Sequence, residues 1–368
     1  MLLDRVRERE AGNAIAERII CALREPIDIA GKSITISASA GLRFGSGADG
    51  SEELLSDADA AMYEAKTHGK NRYLVFEASM RSRVVERTRF TMTFMGALDR
   101  GEFVLDYQPS FGLVDGRLHG FEALVRWQHP TLGLVPPERF IPLAEETGFI
   151  LPLGRWVLET ACLQAVTWPA AEDGSPAVSV NVSALQLGDG DLLADVRTAL
   201  ARSGLPATRL VLEITESMLV SDTDHTLAVL DELRRMGVRV GIDDFGTGYS
   251  SLSEVSRLPV DFVKIDKAFV DRVDDADGQG RAVIKSILDL AHSLDLTTVA
   301  EGIEVTTQRD ALADMGCDNG EGYLLSHPID ARAATALAAD ASAGTGGAGA
   351  STVPARPVIE PRAGMTVG

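Results

Sequence analysis

Eight times between Glu102 and Ser326 a short apolar run ends on a polar residue, and amphipathic helical stretches separate the runs. They read "EFVLDYQ", "LHGFEALVRW", "AVSVNVS", "RLVLEITE", "RVGIDDFG", "FVKIDKAF", "TTVAEGIE" and "GEGYLLS". Strands alternating with helices predict a parallel sheet with helices on its outside. Eight such units at this length predict a TIM-like (β/α)8 barrel of the α/β class.

A barrel of this kind carries its chemistry at the carboxyl ends of its strands. Polar residues fall there: Glu122, Asn181, Glu213, Asp243 with Asp244, Lys264, Glu301 and Glu321. Any one of them alone reads as a solvated strand end or a locally paired carboxylate. Seven strand ends converging on one rim read as a site.

Carboxylates crowded at one mouth repel one another unless they are protonated or share cations, and Asn181 adds a neutral oxygen that a hard metal accepts. Oxygen ligands without His or Cys favour Mg²⁺ or Mn²⁺ over zinc. The pair Asp243 and Asp244 can bridge two ions, one carboxylate shared and the other committed to the second metal. Glu213 and Glu216 are three apart and face opposite ways on a strand, so Glu213 is assigned to metal and Glu216 to holding a loop.

Gly246 and Gly248 allow a sharp turn over the site, with Thr247, Ser250 and Ser251 able to fasten it. Lys264 lies on an apolar strand, where an ammonium is costly unless it sits among carboxylates or handles protons. Together these residues describe hydrolysis of a phosphodiester, two metals activating a water that Lys264 orients or deprotonates. A glycosidase is the rival, but it has no need of Asn, Asp-Asp and Lys together.

The net charge of -19 argues against unaided binding to a nucleic-acid duplex, because phosphate backbones are captured by clustered cations. The composition, 45% hydrophobic and 24% charged, is that of a globular chain. No apolar run reaches membrane-spanning length, and Cys21, Cys162 and Cys317 show no paired spacing. The expectation is a cytoplasmic protein with buried free thiols.

Residues 102–336 resemble the EAL domain, the cyclic di-GMP phosphodiesterase fold. The likeness is carried by "DYQP", "FEALVRW", "NVS", "LEITES", "DDFGTGYSSL", "LPVDFVKIDKAFV", "AEGIE" and "GCDNGEGYLLSHP", in order. The resemblance implies metal ligation by Glu122, Asn181, Glu213 and Asp243, with Asp244 completing the second site. It implies that Lys264 and Glu301 serve the attacking water and that Glu216 steadies the glycine loop. Glu304 would support the site, Arg126 would meet a substrate phosphate, and Gln108 of "DYQP" would bind substrate. The implied reaction opens cyclic di-GMP to linear pGpG, and the implied assembly is a homodimer.

One position departs from the family: where it usually has "QGY" this chain has "EGY", so an amide near the second metal and its water becomes Glu321. The added carboxylate can tighten that metal, repel the phosphate or change the pH dependence. The alternative reading is therefore an impaired domain that holds cyclic di-GMP as a receptor. A protein-interaction scaffold is a third, although a scaffold has no use for a full ligand set.

Residues 1–78 resemble the back half of a GGDEF domain through "ITISASAGL", "DADAAMYEAKTHGKN" and "YLVFE", without the signature loop. Lys66 and Lys70 read as helix-end cations, and no cyclase activity is expected. Strands lacking the other half's partners are an aggregation liability, for which a displaced start or an excised fragment is the expected reason. Residues 79–101 read as a helical linker, and 337–368, rich in Gly, Ala and Pro, as a disordered tail.

Overall fold

The structure, a computed structural model, describes residues 9–25, 27–29, 32–34, 36–45, 49–67, 71–169, 174–188, 190–220, 223–246, 258–275 and 278–343. Its contacts divide the chain into two compact units, residues 1–96 and 97–368.

In the first unit, helix α1 (Arg9–Arg24) buries Gly12, Ala16 and Ile20, one residue every four, on a single stripe. Strands β1 (Ile27–Ile29) and β2 (Lys32–Ile34) pair antiparallel, and β3 (Ala40–Leu42) pairs parallel with β4 (Tyr73–Val75). Within the stretch 32–42 two strands are thus separated by irregular backbone at 36–39. Helix α2 (Ser51–Thr67) presses on β3 so closely that a Cβ at Gly41 would lie 1.9 Å from the Ala58 carbonyl oxygen. Helix α3 (Ala78–Met95) ends the unit. Buried Asp57 on α2 accepts bonds from Arg43 Nε and Arg81 Nε, both at 3.0 Å.

The second unit is a closed barrel of eight strands. They are β5 (Phe103–Gly112), β6 (Leu118–His129), β8 (Ala177–Asn181), β9 (Leu210–Thr215), β10 (Arg239–Phe245), β11 (Phe262–Ile265), β12 (Thr297–Ala300) and β13 (Asn319–Gly320). Two short strands, β7 (Gly133–Val135) and β14 (Ile329–Asp330), extend the sheet beside β6 and β5. From β6 to β13 every neighbour in the barrel is parallel. The first strand is not: β5 runs antiparallel to both β6 and β13. This corrects the expectation of a wholly parallel sheet. The cause is chain length, since residues 113–117 suffice for a hairpin turn but not for the helical crossover that a parallel pair needs.

Strand interiors such as Leu210, Val211, Leu212 and Ile214 of β9 are buried, as near-continuous apolar runs in a helix-covered parallel sheet should be. Polar interruptions of those runs are therefore costly and point to function. The closing helix Ala331–Ser342 runs past the expected barrel end at 336, capped by Asp330 accepting from the Ala333 amide. Its alanine-rich sequence favours helix, so the tail expected from 337 begins with helix, and 344–368 lie outside the described residues.

Candidate active site

Strand register places the polar interruptions on one face. Asn181 of β8 lies level with Glu213 of β9, and Glu213 level with Gly241 of β10, two residues before Asp243. Lys264 of β11 is level with Val299 of β12, and Val299 with Asn319 of β13. Because side chains repeat their face every second residue, Lys264, Glu301 and Glu321 share one side of the barrel wall.

Asp243 and Asp244 escape that alternation. Between β10 and β11 the register shifts, Ile242 opposing Val263 and Phe245 opposing Ile265, so β10 carries one extra residue. This bulge re-aims the chain: Asp244 adopts a left-handed φ of 55°, its amide donates to Asp243 Oδ1 at 2.9 Å, and Gly246 follows at φ 94°. Asp and Gly are the residues that tolerate such backbone.

At the centre lies Lys264 Nζ, 2.9 Å from Glu122, 3.1 Å from Glu213, 2.5 Å from Glu301 and 2.9 Å from Glu321. The lysine side chain is 3% exposed. Burial works against its charge, but the four carboxylates outweigh that cost and hold its pKa well above the ordinary lysine value. Burial likewise pushes Glu213 and Glu301 well above the carboxylate range, with repulsion from Asp243 and other neighbouring acids and against the pull of Lys264. Glu321 is pushed up to about 8 by burial and by Glu122, and Asp244 up to about 6 by burial and by Asp243. Glu122 alone among the four goes down: burial raises it, but Lys264 and the Asn181 amide, which donates at 2.6 Å, prevail.

One ammonium cannot balance this many acids. Glu122, Glu301 and Glu321 each offer a carboxylate oxygen within 4.8 Å of the others, a group able to hold a metal ion. A crowded, all-oxygen donor set short of positive charge fits a hard divalent cation.

The other expected residues are placed variously. Glu216, buried, accepts the Gly246 amide at 3.0 Å. Arg126 pairs with Asp106 at 3.3 Å, and Gln108, opposite Glu122 across β5 and β6, donates to the Ser326 carbonyl at 2.5 Å. Glu304 stands outside the lysine ring, half exposed and paired with Lys267 at 3.0 Å. Thr247 and Gly248, with Ser250, Ser251 and Lys70, lie outside the described residues.

Sequence reasoning missed Asp266, a neighbouring acid that helps to raise the Asp244 pKa and whose carboxylate accepts the Ala268 amide at 2.8 Å. Its signal was its position two residues after Lys264. Also missed was Gln186, buried, whose Oε1 accepts from the Ser183 amide and hydroxyl at 3.1 Å and so locks the turn that follows Asn181.

A closed barrel whose first strand is reversed, with an acid-ringed lysine in its mouth, defines the class, and the EAL domain family model matches residues 93–328. The chain belongs to the EAL domain family. The model of the diguanylate cyclase GGDEF domain matches residues 1–72. Among curated proteins, the chain is 40% identical over 333 residues to the bifunctional diguanylate cyclase/cyclic di-GMP phosphodiesterase MucR of Pseudomonas aeruginosa, covering 90% of this chain and 48% of MucR. It is 37% identical over 330 residues to the cyclic di-GMP phosphodiesterase NbdA of the same organism, covering 89% of this chain and 42% of NbdA. The chain thus spans about half the length of the curated relatives it matches. A solved PaMucR phosphodiesterase in complex with c-di-GMP aligns with 67% of this chain and 99% of its own, at 42% identity and a TM-score of 0.63. Among the described residues no helix is long and apolar enough to cross a membrane.

Proposed function

We propose that this chain is a metal-dependent phosphodiesterase that hydrolyses cyclic di-GMP to linear pGpG. The observation that carries the reading is Lys264 Nζ held within 3.1 Å of four carboxylates in the barrel mouth. A buried ammonium that four carboxylates keep protonated can orient a water by donating to its oxygen, which leaves the proton of that water to a carboxylate. The kinship with MucR and NbdA supports cyclic di-GMP as the substrate.

Glu122, Asn181, Glu213, Asp243 and Asp244 are the residues proposed to hold two Mg²⁺ or Mn²⁺ ions. When bound, such ions polarise the phosphate and lower the pKa of a water. Lys264 and Glu301 are assigned to orienting that water. Arg126 is assigned to a substrate phosphate, which would compete with Asp106 for its guanidinium. Gln108 is assigned to substrate binding. Glu216 holds the "DDFG" turn through Gly246, and Glu304 acts from the rim through Lys267.

Conversion of cyclic di-GMP to pGpG by the purified chain, in Mg²⁺ and in Mn²⁺, tests this reading. We expect turnover that disappears with EDTA, with Glu122→Ala and with Lys264→Ala. Binding without cleavage in both metals rejects it.

A second reading is favoured by one observation, the carboxyl of Glu321 only 2.9 Å from Lys264. An extra acid there can occupy the lysine and leave a cyclic di-GMP receptor without turnover. Under that reading Glu321→Gln, and not the parent, cleaves the ligand.

The first unit is assigned as a GGDEF-like segment without cyclase activity, and the barrel as a homodimer working in the cytoplasm. Incubation with GTP and measurement of solution mass test the first two of these assignments.

A further inference from the structure

We infer that Glu321 is itself a metal ligand, sharing a divalent cation with Glu122 and Glu301. The inference rests on reading the mouth as a metal-dependent hydrolase and assigns the residue that sets this chain apart at that position.

The geometry is specific. Carboxylate oxygens of Glu122, Glu301 and Glu321 lie within 4.8 Å of one another, a span that a single ion with oxygen ligands at about 2.0–2.6 Å can bridge. Backbone bonds set that spacing. The Glu321 amide donates to the Ala300 carbonyl at 2.9 Å, one residue before Glu301, and the Ile303 amide donates to the Glu321 carbonyl at 3.0 Å. At Gly322, φ 149°, a Cβ would lie 2.2 Å from the Ile303 nitrogen, so the turn after Glu321 is clamped on the loop that carries Glu301.

The chemistry of the side chain decides the rest. An amide at 321 would offer one acceptor oxygen and an NH₂ group whose hydrogens repel a cation. A carboxylate offers two acceptor oxygens, so Glu321 can contact Lys264 and still present an oxygen to a metal shared with Glu122 and Glu301. Glu321 is 6% exposed, and water cannot satisfy it as it would a surface acid. Lys264 already serves three further carboxylates. An added carboxylate in a hard-cation site raises affinity through charge count.

The test is Mn²⁺ binding by the metal-stripped full chain, followed by calorimetry and by loss of the free Mn²⁺ electron paramagnetic resonance signal. Parent, Glu321→Gln and Glu122→Gln are compared, and melting in EDTA checks that each variant is folded. We expect Glu321→Gln to weaken Mn²⁺ binding about tenfold or more, with a smaller gain in melting temperature on saturation. An affinity within about twofold of the parent, while Glu122→Gln loses binding, overturns the inference and leaves the hydrolase reading standing. A parent that neither binds Mn²⁺ nor cleaves cyclic di-GMP overturns both.

Discussion

Glu216 accepts the backbone N–H of Gly246 at 3.0 Å, joining the end of β9 to the turn that follows the Asp243–Asp244 bulge. A carboxylate that bonds the backbone of a neighbouring strand's exit fixes where two candidate metal ligands stand. A charge-assisted bond of this kind contributes about 1.5–3 kcal/mol. We therefore expect Glu216→Ala to lower kcat by roughly 10- to 100-fold, each 1.4 kcal/mol being about tenfold. Glu216→Gln, which keeps an acceptor oxygen, should lose less; equal losses in steady-state kinetics would separate this bond from catalysis.

Lys264 is the sole cation within 3.1 Å of Glu122, Glu213, Glu301 and Glu321 among the described residues. Removing one partner of a buried ionic cluster costs about 3–5 kcal/mol. Lys264→Met should therefore lower the melting temperature of the barrel by about 10 °C in EDTA, taking roughly 2–4 °C per kcal/mol. Part of the loss should return with Mn²⁺. Calorimetric melts with and without metal measure both effects, and an unchanged melt in EDTA would contradict the ring.

The same crowding sets a pH dependence for the metal-free protein. Folded Asp244 and Glu321 have pKa values pushed up to about 6 and about 8, above those of the unfolded chain. The folded state then binds more protons than the unfolded state between those limits, so stability falls as pH rises through them. Melts in EDTA should decline between about pH 5 and 9. Saturating Mn²⁺ should flatten the decline, because the metal replaces protons. A rise in stability over that interval would refute the assignment.

In the first unit, Asp57 is 1% exposed and bonded to Arg43 and Arg81. Burial raises its pKa, but the two guanidinium groups prevail and hold it below the usual range. A depressed carboxylate contributes stability that is present above the unfolded pKa and lost as pH falls through the folded one. Asp57→Ala should therefore expose residues 9–95 to limited proteolysis at neutral pH while the barrel stays resistant. Protection of that segment in the variant would show the cluster to be dispensable.

Much of the barrel was legible because its period is local. Apolar runs ending on Glu122, Asn181, Glu213, Lys264 and Glu301 required only strand alternation and the cost of a buried charge to be read as wall and mouth. The direction of β5 was not legible in that way. Its sequence resembles the other strands, and only the five-residue span to β6 betrays that the pair is a hairpin.

Side-chain choice among neighbours was also out of reach. Arg126, Gln108 and Glu304 were assigned from resemblance, and the fold gives them Asp106, the Ser326 carbonyl and Lys267 as partners. Those contacts join residues up to 218 positions apart in the chain, which no local pattern encodes.

What the sequence determined by itself was the set of donors: acids, one amide and one lysine at strand ends, all in oxygen-rich surroundings without His or Cys. What only the tertiary structure decided was their mutual distance. A bulge turns Asp244 away from strict alternation, barrel closure brings Glu321, just past the last strand, to Glu122 of the second, and four carboxylates meet on one ammonium. The physical reason is that charge, burial and repulsion act through space, and spacing along the chain fixes those distances only once the sheet has closed.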